Sequence, residues 1–267
     1  MDLGYEGATA AVTGGTKGMG RSIALCMAGE GAKVAVLARS QTEIDETVEA
    51  LRAAGAPDAL GLATDVTDGQ QVTDAFSSIG ARWGSLNAMV NTVGPGAGKF
   101  EDLADDDWDG VFELGFMSMV RCTRAALPLL REAEWARIVN ISAHSIQRQS
   151  PLIVAYTAAK AALASVSKNL SKSLAPEGIL VNTVSPGSIV TASFSEGLRP
   201  MFEAEDLDPT DPVDVMKWID THFHQPADLA RAGLPEEIAV VVTFLASKVN
   251  GYVTGANVNV DGGSDFI

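Results

Sequence analysis

Ala10-Ala11-Val12-Thr13-Gly14-Gly15-Thr16-Lys17-Gly18-Met19-Gly20 is the stretch that decides the fold. A β-rich run ends at Thr13, glycines follow in the pattern T-G-x-x-x-G-x-G, and a helix-like repeat begins at Gly18. In a strand–turn–helix unit Gly14 permits the sharp turn, Gly18 lets the backbone approach a pyrophosphate, and Gly20 lets helix and strand pack closely. The helix start then offers unpaired N–H groups and a positive dipole end to phosphate oxygens. The predicted phosphate cradle is therefore Gly14, Thr16, Lys17, Gly18, Met19 and Gly20.

Working outward, β-rich runs near Thr9–Thr13, Lys33–Ala38, Ala59–Thr64, Asn87–Asn91, Arg137–Ser142, Leu180–Val184 and Asn257–Val260 alternate with helical periodicity. The helical segments are Gly18–Met27, Gln41–Ala54, Gln70–Ala81, Trp108–Leu130 and Ala155–Leu174. Such alternation predicts an α/β fold: a doubly wound, Rossmann-type parallel sheet of about seven strands with helices on both faces. Strands apolar on both sides agree with a sheet covered twice. Residues 191–234 break the rhythm and read as a lid or substrate region. No linker or repeat divides the 267 residues, so one dinucleotide-binding and catalytic domain over 1–267 is expected.

Composition excludes other classes. A net charge of −15 without a basic patch opposes nucleic-acid binding. No apolar run approaches the roughly 20 residues of a membrane span, and no secretory signal opens the chain, so a cytoplasmic protein is expected. Cys26 and Cys122 stand apart from any metal or redox spacing and read as reduced thiols. The acidic group Glu101, Asp102, Asp105, Asp106, Asp107 and Asp109 reads as a solvated helix start rather than a cation site. His222 and His224 share a strand-like spacing but lack a third ligand, so no metal is expected.

The end of the second strand indicates the cofactor. An acid there would bind ribose hydroxyls, but the sequence is Ala38-Arg39-Ser40. Arg39 can pair with a 2′-phosphate through two hydrogen bonds, Ser40 adjoins it, and Lys17 adds a second positive charge. NADP(H) is favoured over NAD(H).

Tyr156 and Lys160 stand four residues apart, on one helix face. A nearby ammonium and an oxidised nicotinamide ring would favour the phenolate. Tyr156 then serves as general acid in reduction and general base in oxidation. With the glycine motif, this Y-x-x-x-K pair makes the chain resemble the short-chain dehydrogenase/reductase superfamily. The resemblance extends along nearly the whole chain, through Asp65-Val66, Asn91-Thr92-Val93-Gly94, Pro186-Gly187-x-Ile189-x-Thr191 and Val258-Asn259-Val260-Asp261-Gly262-Gly263. It implies that Asp65 and Val66 meet the adenine and that Asn91 and Gly94 belong to the cofactor site. It further implies that Pro186, Gly187, Ile189 and Thr191 hold the nicotinamide carboxamide, and that Lys160 grips the nicotinamide ribose.

The chain departs from that family twice. Thirteen residues before Tyr156, where the family has its catalytic serine, stands Ala143. In extended chain Ser145 shares a face with Ala143 and Ser142 does not, so Ser145 is the proposed replacement, with Ser150 and His144 as weaker candidates. The family's helical asparagine falls at Gly115, which offers no side chain and suggests space for a water or a larger substrate against Phe116. The leading expectation is an NADP(H)-dependent oxidoreductase for a carbonyl or secondary alcohol of a small, mainly apolar molecule. The alternative is a weakened dinucleotide-binding protein acting as sensor or partner. The long helices 108–130 and 155–174 carry apolar residues on more than one face, and the family resemblance implies a homotetramer.

Overall fold

A computed structural model describes residues 2–96 and 98–264. Seven parallel strands form one sheet in the order β3-β2-β1-β4-β5-β6-β7. They are β1 Thr9–Thr13, β2 Lys33–Ala38, β3 Ala59–Ala63, β4 Ala88–Asn91, β5 Ala136–Ile141, β6 Ile179–Pro186 and β7 Asn257–Val260. Helices α1 Gly18–Gly29, α2 Gln41–Ala54 and α3 Gly69–Trp83 connect the first strands. After β4 come α4 Asp105–Phe112, α5 Ser118–Arg131, α6 Val154–Leu174, α7 Ala192–Glu203, α8 Pro212–Phe223 and α9 Pro235–Leu245.

Alternation along each strand builds two cores. Ala10, Val12, Val34 and Val36 pack with Ile23 and Met27 of α1 and Ile238 and Val242 of α9. Ala11, Ala35 and Leu37 point the other way, onto Val72, Phe76 and Ile79 of α3 and Cys122 and Ala126 of α5. Strands with both faces covered need apolar residues at every position, which is why they read as continuous runs. Chain order reverses between β1 and β4, which pair directly, and a crevice therefore opens beyond their carboxyl ends.

One helical expectation is corrected, and the two-residue spacing of His222 and His224 proves not to be a strand's. The segment 108–130 is not one regular helix, because Glu113–Met117 forms a π-helical turn between α4 and α5. Ser118 N–H reaches back to the Glu113 carbonyl across it. His222 and His224 do not lie on a strand; His222 is in the last turn of α8 and His224 caps that helix with φ +53°. Their local sequence follows an apolar helical face, Val215, Met216, Trp218 and Ile219, which outweighs the two-residue spacing. The acidic run does open a helix: Asp107 accepts the Ala104 N–H at 2.9 Å at the start of α4.

Residues 191–234 carry α7 and α8 and their own core of Phe202, Val215, Met216, Trp218 and Ile219. Phe202 stacks on Trp218 with ring centroids 5.1 Å apart. Both ends of this region are pinned together. Val190 N–H donates to the Gly233 carbonyl at 2.9 Å, and Gly233 N–H donates to Ser188 at 2.9 Å. The excursion thus leaves and rejoins the body at one place, directly above the crevice.

Candidate active site

A cleft of about 1280 Å³ occupies this crevice. It exceeds the roughly 300–1,000 Å³ of an ordinary small-molecule pocket and has room for a long ligand beside a small one. Every site residue expected from the sequence lines it except Asn91 and the weaker candidate Ser150, whose hydroxyl accepts the Leu152 N–H at 3.3 Å. The Asn91 side chain turns into the protein, donating to Asn140 Oδ1 at 2.8 Å and Thr123 Oγ1 at 3.3 Å. Asn140 continues the chain to Ser167 at 2.9 Å. Asn91 thus ties β4 to β5 and α5, a role that strand alternation assigns to it and a motif cannot reveal.

At one end lies the glycine loop. Gly14 has φ +63°, a conformation that L side chains seldom adopt. A Cβ on Gly20 would collide with the Gly14 carbonyl oxygen, so the close turn itself requires glycine. Gly18 lies under Thr191, whose Cγ2 a Cβ there would meet at 3.2 Å. The same Thr191 caps α7, accepting the Phe194 N–H at 3.2 Å, so the 191–234 region begins on the phosphate loop.

Charge at this end is partly neutralised within the protein. Lys17 Nζ pairs with Glu43 Oε1 at 2.7 Å, and Thr16 donates to the other Glu43 oxygen at 3.4 Å. Glu43 is in the first turn of α2, where acids suit the helix dipole, so its presence in the cleft carried no motif signal. Arg39 is exposed and makes no ion pair or hydrogen bond among the described residues. Asp65 accepts Thr67 N–H at 2.9 Å and Thr67 Oγ1 at 2.7 Å. These bonds, with smaller help from Arg39, hold its carboxyl below the usual range.

At the other end the half-buried Tyr156 meets Lys160, which is fully enclosed. Lys160 Nζ donates to the carbonyls of Ile141 at 2.8 Å and Val93 at 3.2 Å. Enclosure pulls this ammonium down to about 8 and pushes the Tyr156 phenol up to about 12. In the chain alone desolvation governs both groups, and the ammonium is held by backbone carbonyls.

Ser142, Ala143, His144 and Ser145 all line this end. The alternation used to separate the serines stops at Ala143, because His144–Ile146 is a 3₁₀ turn. Hydrogen bonding separates them instead. Ser142 donates to the Lys160 carbonyl at 3.1 Å. Ser145 Oγ accepts from Thr157 Oγ1 at 3.0 Å and has no acceptor for its own proton among the described residues. Gly115 leaves no cavity: a Cβ there would stand 2.8 and 2.9 Å from Pro95 Cγ and Cδ and 3.2 Å from Ala159. The expected space is filled by Pro95, which follows the glycine of the β4 motif.

The profile of a family described as enoyl-(acyl carrier protein) reductase, within the short-chain dehydrogenases, matches residues 14–265. The chain belongs to the short-chain dehydrogenase/reductase family. The short-chain reductase protein NovJ of Streptomyces niveus is 32% identical over 95% of this chain and 92% of its own length. The 3-oxoacyl-[acyl-carrier-protein] reductase FabG of Staphylococcus aureus is 31% identical over 96% and 97%. The structure of L-sorbose reductase from Gluconobacter frateurii complexed with NADPH and L-sorbose superposes with a TM-score of 0.90, at 28% identity over 99% of this chain and 98% of that one. Membership makes the protein an oxidoreductase of alcohol and ketone groups. Within this short-chain dehydrogenase fold, the Tyr156 and Lys160 pair is retained, while Ala143 and Gly115 mark its two departures. Among the remaining lining residues that no motif indicated, Phe194 lies on α7 and Ile219 and Phe223 on α8.

Proposed function

We propose that the whole chain acts as one domain that reduces the carbonyl of a small, mainly apolar molecule with NADPH, or runs the reverse oxidation. The observation that carries this reading is the single cleft joining the glycine loop and Arg39 to Tyr156, Lys160 and Ser145 under the lid. A bound nicotinamide would supply or accept the hydride. Gly14, Thr16, Gly18, Met19 and Gly20 would hold the pyrophosphate, Asp65 and Val66 the adenine, and Gly94, Pro186, Gly187, Ile189 and Thr191 the nicotinamide end. Arg39, Ser40 and Lys17 would hold a 2′-phosphate. Tyr156 gives its proton to the carbonyl oxygen, Lys160 holds the ribose beside it, and Ser145 donates a second hydrogen bond to that oxygen. Phe194, Ile219 and Phe223 exclude water as the lid closes. The L-sorbose reductase complexed with NADPH supports the cofactor reading.

Charge balance favours NADP(H), with Glu43 opposing it. The test is fluorescence titration of NADPH and NADH together with turnover on a panel of ketones. Arg39→Asp should lose NADPH affinity by tenfold or more and keep NADH. Glu43→Gln should tighten NADPH severalfold and leave NADH unchanged. Equal affinities for the two dinucleotides in all three proteins would overturn the cofactor reading. A homotetramer in the cytoplasm completes the proposal, the assembly being checked by analytical ultracentrifugation.

A further inference from the structure

We infer that the substrate carries a hydroxyl on the carbon beside its reacting carbon, and that His144 Nε2 accepts that hydroxyl's proton in a hydrogen bond. This rests on the carbonyl-reducing reading above and names the substrate class within it: an α-hydroxyketone, reduced to a vicinal diol.

One hydrogen bond sets the tautomer of the ring. His144 Nδ1 lies 3.1 Å from the Pro186 carbonyl oxygen. A carbonyl only accepts, so Nδ1 carries the hydrogen. In the neutral ring the lone pair is then on Nε2, which can only accept. Nε2 has no partner among the described residues, and the half-buried His144 lines the cleft. The Pro186 anchor fixes the ring at the end of β6, next to the segment expected to hold the nicotinamide.

The neighbouring groups leave His144 a distinct task. Ala143 has no polar side-chain atom, and the Ser142 proton is used on the Lys160 carbonyl at 3.1 Å. Tyr156 and Ser145 are donors and suit the reacting oxygen, which accepts. Nε2 cannot bind that oxygen, because both are acceptors. It needs an O–H or N–H. Ile153, Phe194, Ile219 and Phe223 line the same cleft and offer none, and Ser188, Ser193 and Gln225, which also line it, make no hydrogen bond to Nε2. When the lid excludes water, an unmatched lone pair here loses its solvation, which disfavours ligands that cannot replace it. Ser145 and His144 are adjacent on one tight turn and both line the cleft, so one small ligand can meet both, with its second hydroxyl close to the reacting carbon.

The experiment uses paired alcohols with and without the second hydroxyl: butane-2,3-diol against butan-2-ol, 1,2-cyclohexanediol against cyclohexanol, and 1-phenylpropane-1,2-diol against 1-phenylpropan-2-ol. Binding to the NADP⁺-loaded protein is measured by calorimetry, and reduction of the matching ketones is followed with NADPH. A diol preference of about tenfold is expected, the scale of one well-made hydrogen bond. His144→Asn places an N–H where the ring has Nδ1 and so keeps the Pro186 bond while losing the acceptor; the preference should vanish. His144→Gln places its amide where Nε2 was and should retain part of it. A purely structural histidine would show the opposite pattern, with Asn tolerated at full preference and Gln damaging both ligands alike. That result, or no diol preference in any pair, overturns the proposal. A diol preference that follows His144 in a protein without turnover would uphold the His144 contact with the second hydroxyl and overturn the reduction on which the substrate class rests.

Discussion

Replacing Gly115 with the asparagine that its family carries at this place should harm the protein rather than repair it. Any Cβ at 115 would approach Pro95 Cγ to 2.8 Å and Cδ to 2.9 Å, and Ala159 Cβ to 3.2 Å. Carbon atoms rest roughly 3.5–4.0 Å apart, so Pro95 must retreat by about 0.6 Å or more. Overpacking of this kind costs about 1–3 kcal/mol. Removing a helical glycine returns at most roughly 1 kcal/mol, and less for Asn than for Ala. Gly115→Ala should therefore lie between neutral and about 2 kcal/mol destabilised, and Gly115→Asn should lose about 1–3 kcal/mol. For a chain of this size that is a fall in Tm of roughly 2–6 °C. Activity should fall as well. Pro95 is two residues from Val93, whose carbonyl holds Lys160 Nζ at 3.2 Å, so displacing one disturbs the other. Thermal unfolding and kcat, measured on both variants, check this. A Gly115→Asn protein with unchanged Tm and higher kcat would refute the packing argument and show that the π turn holds a vacant relay position.

Ser145→Ala should lower kcat by about 10²-fold with little change in KM, the loss typical of one donor to a developing oxyanion. Ser142→Ala should cost only about 1 kcal/mol of stability, because its hydroxyl is spent on the Lys160 carbonyl. Kinetics in which Ser142→Ala is the damaging change would reverse the assignment. Lys160 has a folded value of about 8, below the roughly 10.4 of an exposed lysine. Between these values the unfolded chain binds more protons, so this group's destabilising effect is full below about pH 8 and fades as pH rises. Measured against Lys160→Met by urea denaturation, the wild type should gain roughly 2 kcal/mol from about pH 7 to about pH 9.5. A flat difference would show that the ammonium is solvated.

The sheet was legible because its signal is redundant. Most strands are short apolar runs, the edge strand Asn257–Val260 alternates Asn and Val, and the helices between them repeat at a helical period. The glycine loop was legible because Gly14 and Gly20 answer local steric demands. Three other features were not, each for a physical reason. Glu43 sits where any α2 N-terminus would welcome an acid, so its pairing with Lys17 depends on tertiary placement. The choice between Ser142 and Ser145 depends on a 3₁₀ turn that ends the strand's alternation. The space at Gly115 depends on Pro95, some twenty residues earlier in the chain. Asn91 belonged to a motif yet faces Asn140 and Thr123, because the side chains of β4 alternate and this one turns inward.

Substitution of Tyr156 by phenylalanine removes one oxygen from the site and leaves its ring packing. Tyr156→Phe should bind NADPH within about threefold of the wild type while steady-state reduction of its ketone falls by about 10²–10⁴-fold, the contribution of a positioned general acid. Reduction persisting within tenfold of the wild-type rate would contradict it, since the proton would then have to come from elsewhere.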